Sequence, residues 1–156
     1  MKAKITILVF FISLFSINTS IYSQNNPMIT LEVDTENINE NNIDEMATFG
    51  QPSETKNRDF TLEVEMGDVI IWQGRATQSS GGLVRIKLFR HDDGVKLLGT
   101  SRIAEQNDTG VVVGKVQAGN PGDIEKYTLK FEVRKRGSQT WTEYFIDPKL
   151  KLILSE

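Results

Sequence analysis

The stretch TLEVEMGDVIIWQG, residues 61–74, decides how the chain is read. Leu62, Val64 and Met66 alternate with Glu63 and Glu65, the period of a strand with one face in a core and the other in water. Gly67-Asp68 interrupts the pattern. It resumes as Val69-Ile70-Ile71-Trp72, where both faces are apolar, so a second layer, a ligand or another molecule has to cover the face that water leaves.

Working outward, strand-like runs occur at 28–34, 60–66, 69–73, 83–90, 95–98, 110–116, 124–135, 140–146 and 150–154. Between them stand turn residues: SSGG at 79–82, HDDG at 91–94, EQNDTG at 105–110, AGNPGD at 118–123 and RGS at 136–138. Short strands at this spacing, punctuated by Gly, Asn, Asp and Pro, predict an all-β chain. The expected architecture is an antiparallel β-sandwich of about eight or nine strands with little or no helix. In the run 127–133, Tyr127, Leu129, Phe131 and Val133 face a core. In the run 140–146, Trp141, Glu143 and Phe145 share one face and Thr142, Tyr144 and Ile146 the other, a second strand with apolar groups on both sides.

The first 23 residues have the layout of a secretory signal peptide: Lys2 and Lys4, an apolar run from Ile5 to Phe15, then a small polar stretch ending at Ser23. The apolar run is shorter than the roughly 20 residues a spanning helix needs, so no membrane anchor is expected. Cleavage near Ser23 predicts a secreted or periplasmic product with a short polar leader at 24–27 and a single domain at 28–156. Within that domain, residues 35–59 form a long polar connection with one helical turn around Ile43 to Met46. Such a connection is expected to be functional or mobile.

Removing residues 1–23 takes two lysines and no acid from 18 basic and 21 acidic residues, so the charge moves from −3 to −5. An acidic domain has no electrostatic reason to seek nucleic acid. With no cysteine in the chain, disulfides, thiol nucleophiles and thiolate metal sites are excluded. GDVIIW followed by YTLKFEV resembles cupredoxin strands, but copper there needs two histidines and a cysteine, and His91 is the single histidine.

Three clusters carry a chemical alternative to a structural role. His91, beside Asp92 and Asp93, is the one candidate base, with Ser79 or Ser80 as its nucleophile; a hairpin turn at Asp-Asp-Gly accounts for the same residues. Oxygen donors at 34–42 (Asp34, Glu36, Asn37, Asn39, Glu40) would suit calcium but lack the glycine and spaced glutamate of an EF-hand loop. Lys130, Arg134, Lys135 and Arg136 read as a solvated strand face. No catalytic residue, metal site or cofactor is therefore expected. The aromatic set is left as the ligand or partner face: Trp72 with Ile70, and Trp141 with Tyr144.

Taken in order, ITLEVDTENI, FTLEVEMGDVIIWQG, YTLKFEV and YFIDPKLKL are similar to the inclusion-body protein family, the PixA/AidA-like proteins. Asp34-Thr35-Glu36, Gly67-Asp68 with Trp72, and Asp147-Pro148-Lys149 carry the resemblance, which spans about residues 28–154. It implies a β-sandwich, often abundant and growth-phase or quorum regulated, with no established enzymatic activity. Members are read as intracellular, whereas this chain opens with an export signal. The expected function is a secreted, non-catalytic module acting by binding a protein partner or by self-association. A glycan- or small-ligand-binding module using surface aromatics is the alternative.

The run 150–154 alternates Leu150, Leu152 and Leu154 with lysines and is expected to close the core against an early strand. Asp147-Pro148 is expected to end the preceding strand and redirect the chain, with Asp147 accepting hydrogen bonds from the amides that follow.

Overall fold

The computed structural model describes residues 26–155, so the signal segment and the bond after Ser23 lie outside the described residues. Ten strands are present among them: β1 (Met28–Val33), β2 (Ala47–Thr48), β3 (Thr61–Val64), β4 (Val69–Ala76), β5 (Leu83–Gly94), β6 (Arg102–Ala104), β7 (Val111–Lys115), β8 (Ile124–Arg134), β9 (Thr142–Ile146) and β10 (Lys149–Leu152). Among the described residues helix is confined to α1 (Ile43–Met46) and a 3-10 turn at Asn57–Asp59. The strands form an all-β sandwich, with a four-stranded sheet in the order β2-β1-β4-β7 facing β3-β10-β8-β5-β6, and β9 beside β8. The sheets are mixed, because β1 runs parallel to β4 and β3 parallel to β10.

The break at Gly67-Asp68 is the crossing between the two sheets. β3 belongs to the larger sheet and β4 to the smaller. The Glu65 amide donates to Asp68 Oδ2 at 2.8 Å, and Gly67 holds a φ of +95°, where a side chain is strained. After the crossing, Ile70 and Trp72 point into the core, while Val69, Ile71 and Gln73 lie half-buried on the outer face. The polar face disappears because β4 is flanked by β1 and β7, and neighbouring side chains on the outer face shelter one another.

Leu31, Val33, Ile70, Trp72 and Val112 of one sheet meet Ile86, Phe89, Tyr127, Leu129, Phe131, Leu150 and Leu152 of the other, all buried. Trp72 Nε1 donates to the Tyr127 hydroxyl at 3.1 Å, and Phe89 stacks on Tyr127 with centroids 4.6 Å apart. The inner aromatic cluster thus keeps its polar atoms paired, as burial requires.

Three expectations are corrected. HDDG is not a turn: β5 continues to Gly94 because each polar side chain finds a cross-strand partner. His91 meets Glu125, Asp93 accepts from Lys126 Nζ at 2.8 Å, and Arg90 donates to Thr128 Oγ1 at 2.9 Å. Gly94, at φ +83°, is still paired with Glu125, and the chain turns at 96–99, where the Gly99 amide donates to the Lys96 carbonyl at 2.9 Å. Residues 95–98 are accordingly a loop, whose Leu97 and Leu98 plug the core, and β6 is an added strand that the sequence pattern did not mark.

Asp147-Pro148 does not redirect the chain. β9 pairs Ile146 with Leu129 and β10 pairs Lys149 with Lys126, so one antiparallel register runs unbroken past the proline. The Pro148 carbonyl still accepts from the Tyr127 amide at 3.2 Å. Proline removes a single ladder donor, and the flanking pairs hold the strand in line. β10 does close the core, between β8 and the early strand β3, with Leu150 and Leu152 buried; Leu154 is exposed.

Residues 35–59 are folded against the sandwich. β2 pairs with β1, α1 is the helical turn read at Ile43 to Met46, and Asn57 is buried, donating to the Ala47 carbonyl at 2.9 Å. Ile38 is buried too, and its carbonyl accepts from the Tyr144 hydroxyl at 3.3 Å.

Candidate functional site

The four residues expected to form a binding face do not share one. Ile70 and Trp72 have no exposed surface and belong to the core of the four-stranded sheet, and Tyr144 is buried under Ile38 on the inner side of the other sheet. The reason is phase: on β4 the even positions face inward, so the outer surface carries Val69, Ile71 and Gln73 instead. Trp141 alone lies on an outer face, half-buried, with the Arg85 guanidinium 4.0 Å and that of Arg134 5.1 Å from its ring centroid. Its ring is already engaged by two cations, and ion pairs Arg85–Glu132 and Lys130–Glu143 surround it.

The exposed apolar surface lies across the outer face of the four-stranded sheet. Register sets Met28 beside Ile71 and Ile71 beside Val113, one row crossing β1, β4 and β7. Met28 and Val113 are 60% and 50% exposed. The next rows turn polar. Gln73 Nε2 donates to Thr30 Oγ1 at 2.9 Å, and Arg75 pairs with Glu32. The signal for this row was in the sequence, since Ile29, Leu31 and Val33 facing inward put Met28 outside, but the larger aromatics drew the reading away from it.

Beside Val113 a groove of about 430 Å³ opens between β7 and β6, with Ile103, Ala104, Val111 and Val113 in its walls. A second, polar cleft of about 580 Å³ separates the 40–58 segment from β9, where Phe145 is 48% exposed.

His91 Nδ1 lies 2.9 Å from Glu125 Oε1, and Glu125 Oε2 accepts from the Leu98 amide at 3.2 Å. Glu125 is wholly buried. Burial above all raises its carboxyl above the usual range, against the opposing pull of His91 and the Leu97 and Leu98 amides. The pair joins β5, β8 and the 95–98 loop. Ser80 is buried before the start of β5, its Oγ bonded to Thr77, while His91 lies near the far end of that strand. The structure does not bring histidine and serine together.

The oxygen donors of 34–42 are engaged with their own loop. Asp34 accepts from the amides of Glu36 and Asn37 and from Asn37 Nδ2, which holds its carboxyl below the usual value, and Asn42 Oδ1 accepts from the Asn39 amide. Among the described residues no group of three or more His, Cys, Asp or Glu is placed to hold a metal ion. Thr35 is buried and accepts from the Gly82 amide, and Glu36 takes the Arg136 amide and, through its carbonyl, Lys135 Nζ. The basic end of β8 is thereby tied to the polar connection.

No family model and no curated protein matches the sequence. Among solved structures, the chain is similar to an inclusion body protein, PixA, from Burkholderia cenocepacia. The identity is 11% and the TM-score 0.48, over 84% of this chain and 98% of that one. A cysteine protease inhibitor from Entamoeba histolytica follows at 11% identity and TM-score 0.27, over 83% and 99% of the two chains. The sequence resemblance and the first of these neighbours name the same family. Both likenesses are too distant to carry function from one chain to the other.

Proposed function

We propose that the protein is an exported, non-catalytic β-sandwich that acts through protein–protein contact, self-association included. The exposed row Met28–Ile71–Val113 supports this reading. Apolar side chains aligned across three strands on one open sheet face favour burial against another macromolecule. The absence of cysteine and the engagement of the single histidine with a buried carboxylate agree with it. Export rests on the segment 1–23.

Two measurements test the reading. Sedimentation at several concentrations reads self-association, and capture from the secreted fraction with the mature chain as bait reads other partners. A species that stays monomeric at high micromolar concentration and retains no partner in the capture refutes it. Amino-terminal sequencing of the exported product tests the cleavage near Ser23.

A further inference from the structure

We propose that two copies of this chain join edge to edge along β7, antiparallel, about a twofold axis at Val113. This rests on the reading above and names the partner and the surface.

The strand is bonded on one side only, to β4. The Ile71 amide donates away from β7, to Pro27, so β4 offers β7 the backbone groups of Ile70 and Trp72, opposite Gly114 and Val112. Antiparallel alternation then turns the amides and carbonyls of Val111, Val113 and Lys115 to the free side. The Thr109 hydroxyl touches the Val111 carbonyl at 3.5 Å; no strand among the described residues covers the rest. Of the other strands with a single partner, β2, β3 and β6 span 2, 4 and 3 residues against 5 in β7, and β9, also of 5, faces the 40–58 segment across the polar cleft. A free edge of this kind templates another strand unless it is blocked.

Three features select a second copy as that strand. Val111, Val113 and Lys115 are symmetric about Val113, so each outward amide and carbonyl meets its complement on an identical strand, which is what an isologous contact requires. Charge is complementary as well. Lys115 has no carboxylate partner among the described residues, and in this register it lies opposite Val111 of the second copy, beside the turn carrying Asp108. The Asp108 carboxylate already pairs with Arg85 Nη1 at 3.0 Å and Lys87 Nζ at 3.2 Å, yet its side chain stays 71% exposed and open to a further cation, and the two Lys115 side chains stay apart. Finally, the row Met28–Ile71–Val113 meets its own copy at Val113, doubling the apolar row, and the groove walls formed by Ile103 and Ala104 come to flank the joint.

The test compares the mature protein with Val113→Lys and Lys115→Glu by sedimentation equilibrium, alongside hydrogen exchange of the Val113 amide at low and high protein concentration. Val113 is half exposed and its backbone faces outward, so the lysine leaves the monomer's thermal transition in place. We expect a dimer whose Val113 amide gains protection with concentration, and association at least about tenfold weaker in each variant. A wild-type dimer that V113K leaves intact, with the Val113 amide still exchanging freely, overturns the edge assignment and spares self-association. A strict monomer that captures another protein overturns the assignment and spares the binding reading. A strict monomer that captures nothing overturns both.

Discussion

His91 meets, at 2.9 Å through Nδ1, a carboxylate on Glu125 that has no contact with water. Removing the imidazole leaves that carboxylate oxygen unsatisfied inside the sandwich, and H91A is expected to cost about 1–3 kcal/mol in a denaturant titration. The same variant removes the only histidine available for catalysis, so the loss should appear in stability.

Glu125 also sets a pH dependence whose sign follows from burial. Its folded carboxyl is raised above the ordinary 4.5, so between that value and its raised one the folded state holds a proton that the unfolded state has released. This group's contribution is full below 4.5 and is lost as pH rises through the folded value. Thermal melts across that window should show wild-type stability declining relative to E125Q, which cannot ionise. A difference between the two that is constant with pH would refute the assignment.

The Trp72–Tyr127 bond makes a separate claim on the core. Y127F deletes the acceptor and strands a buried indole N–H, an expected loss of about 1–3 kcal/mol, while W72A opens a cavity worth about 3–5 kcal/mol. Equilibrium unfolding measures both. Because Trp72 is enclosed, soluble glycans should leave its emission unchanged.

Truncation after Pro148 removes β10, the strand that lies between β3 and β8. Two buried leucines, Leu150 and Leu152, are lost at about 1.5–3 kcal/mol each, and β3 loses the one strand it pairs with among the described residues. The shortened chain is expected to lack a cooperative thermal transition. A transition near that of the full chain would make the last strand dispensable.

Alternation made the fold class legible, and with it the inward phase of Tyr127, Leu129, Phe131 and Val133. Asp-Asp-Gly misled because local turn preference was outweighed by cross-strand partners more than 30 residues away, as Asp93 and Lys126 illustrate. Pro148 misled for a related reason: a missing donor is a local defect, and register is set by the pairs on either side. The candidate face was misplaced because size was read as exposure. Trp72 and Tyr144 are large enough to anchor a core, whereas smaller Met28 and Val113 lie outside. Neither they nor Ile71 become a row until β1 and β4 are known to run parallel, and a pairing direction has no local signature.

The partnership of β3 with β10 sets the order in which this molecule can mature. Lys151 and Glu63, joined across that pair, are 88 residues apart in sequence. The larger sheet therefore cannot gain β3 as its edge strand until β10 has been synthesised and brought back beside it. Loop closure over such a span slows folding. A nascent chain held open in this way stays threadable through a narrow pore for longer than one whose strands pair with their immediate neighbours.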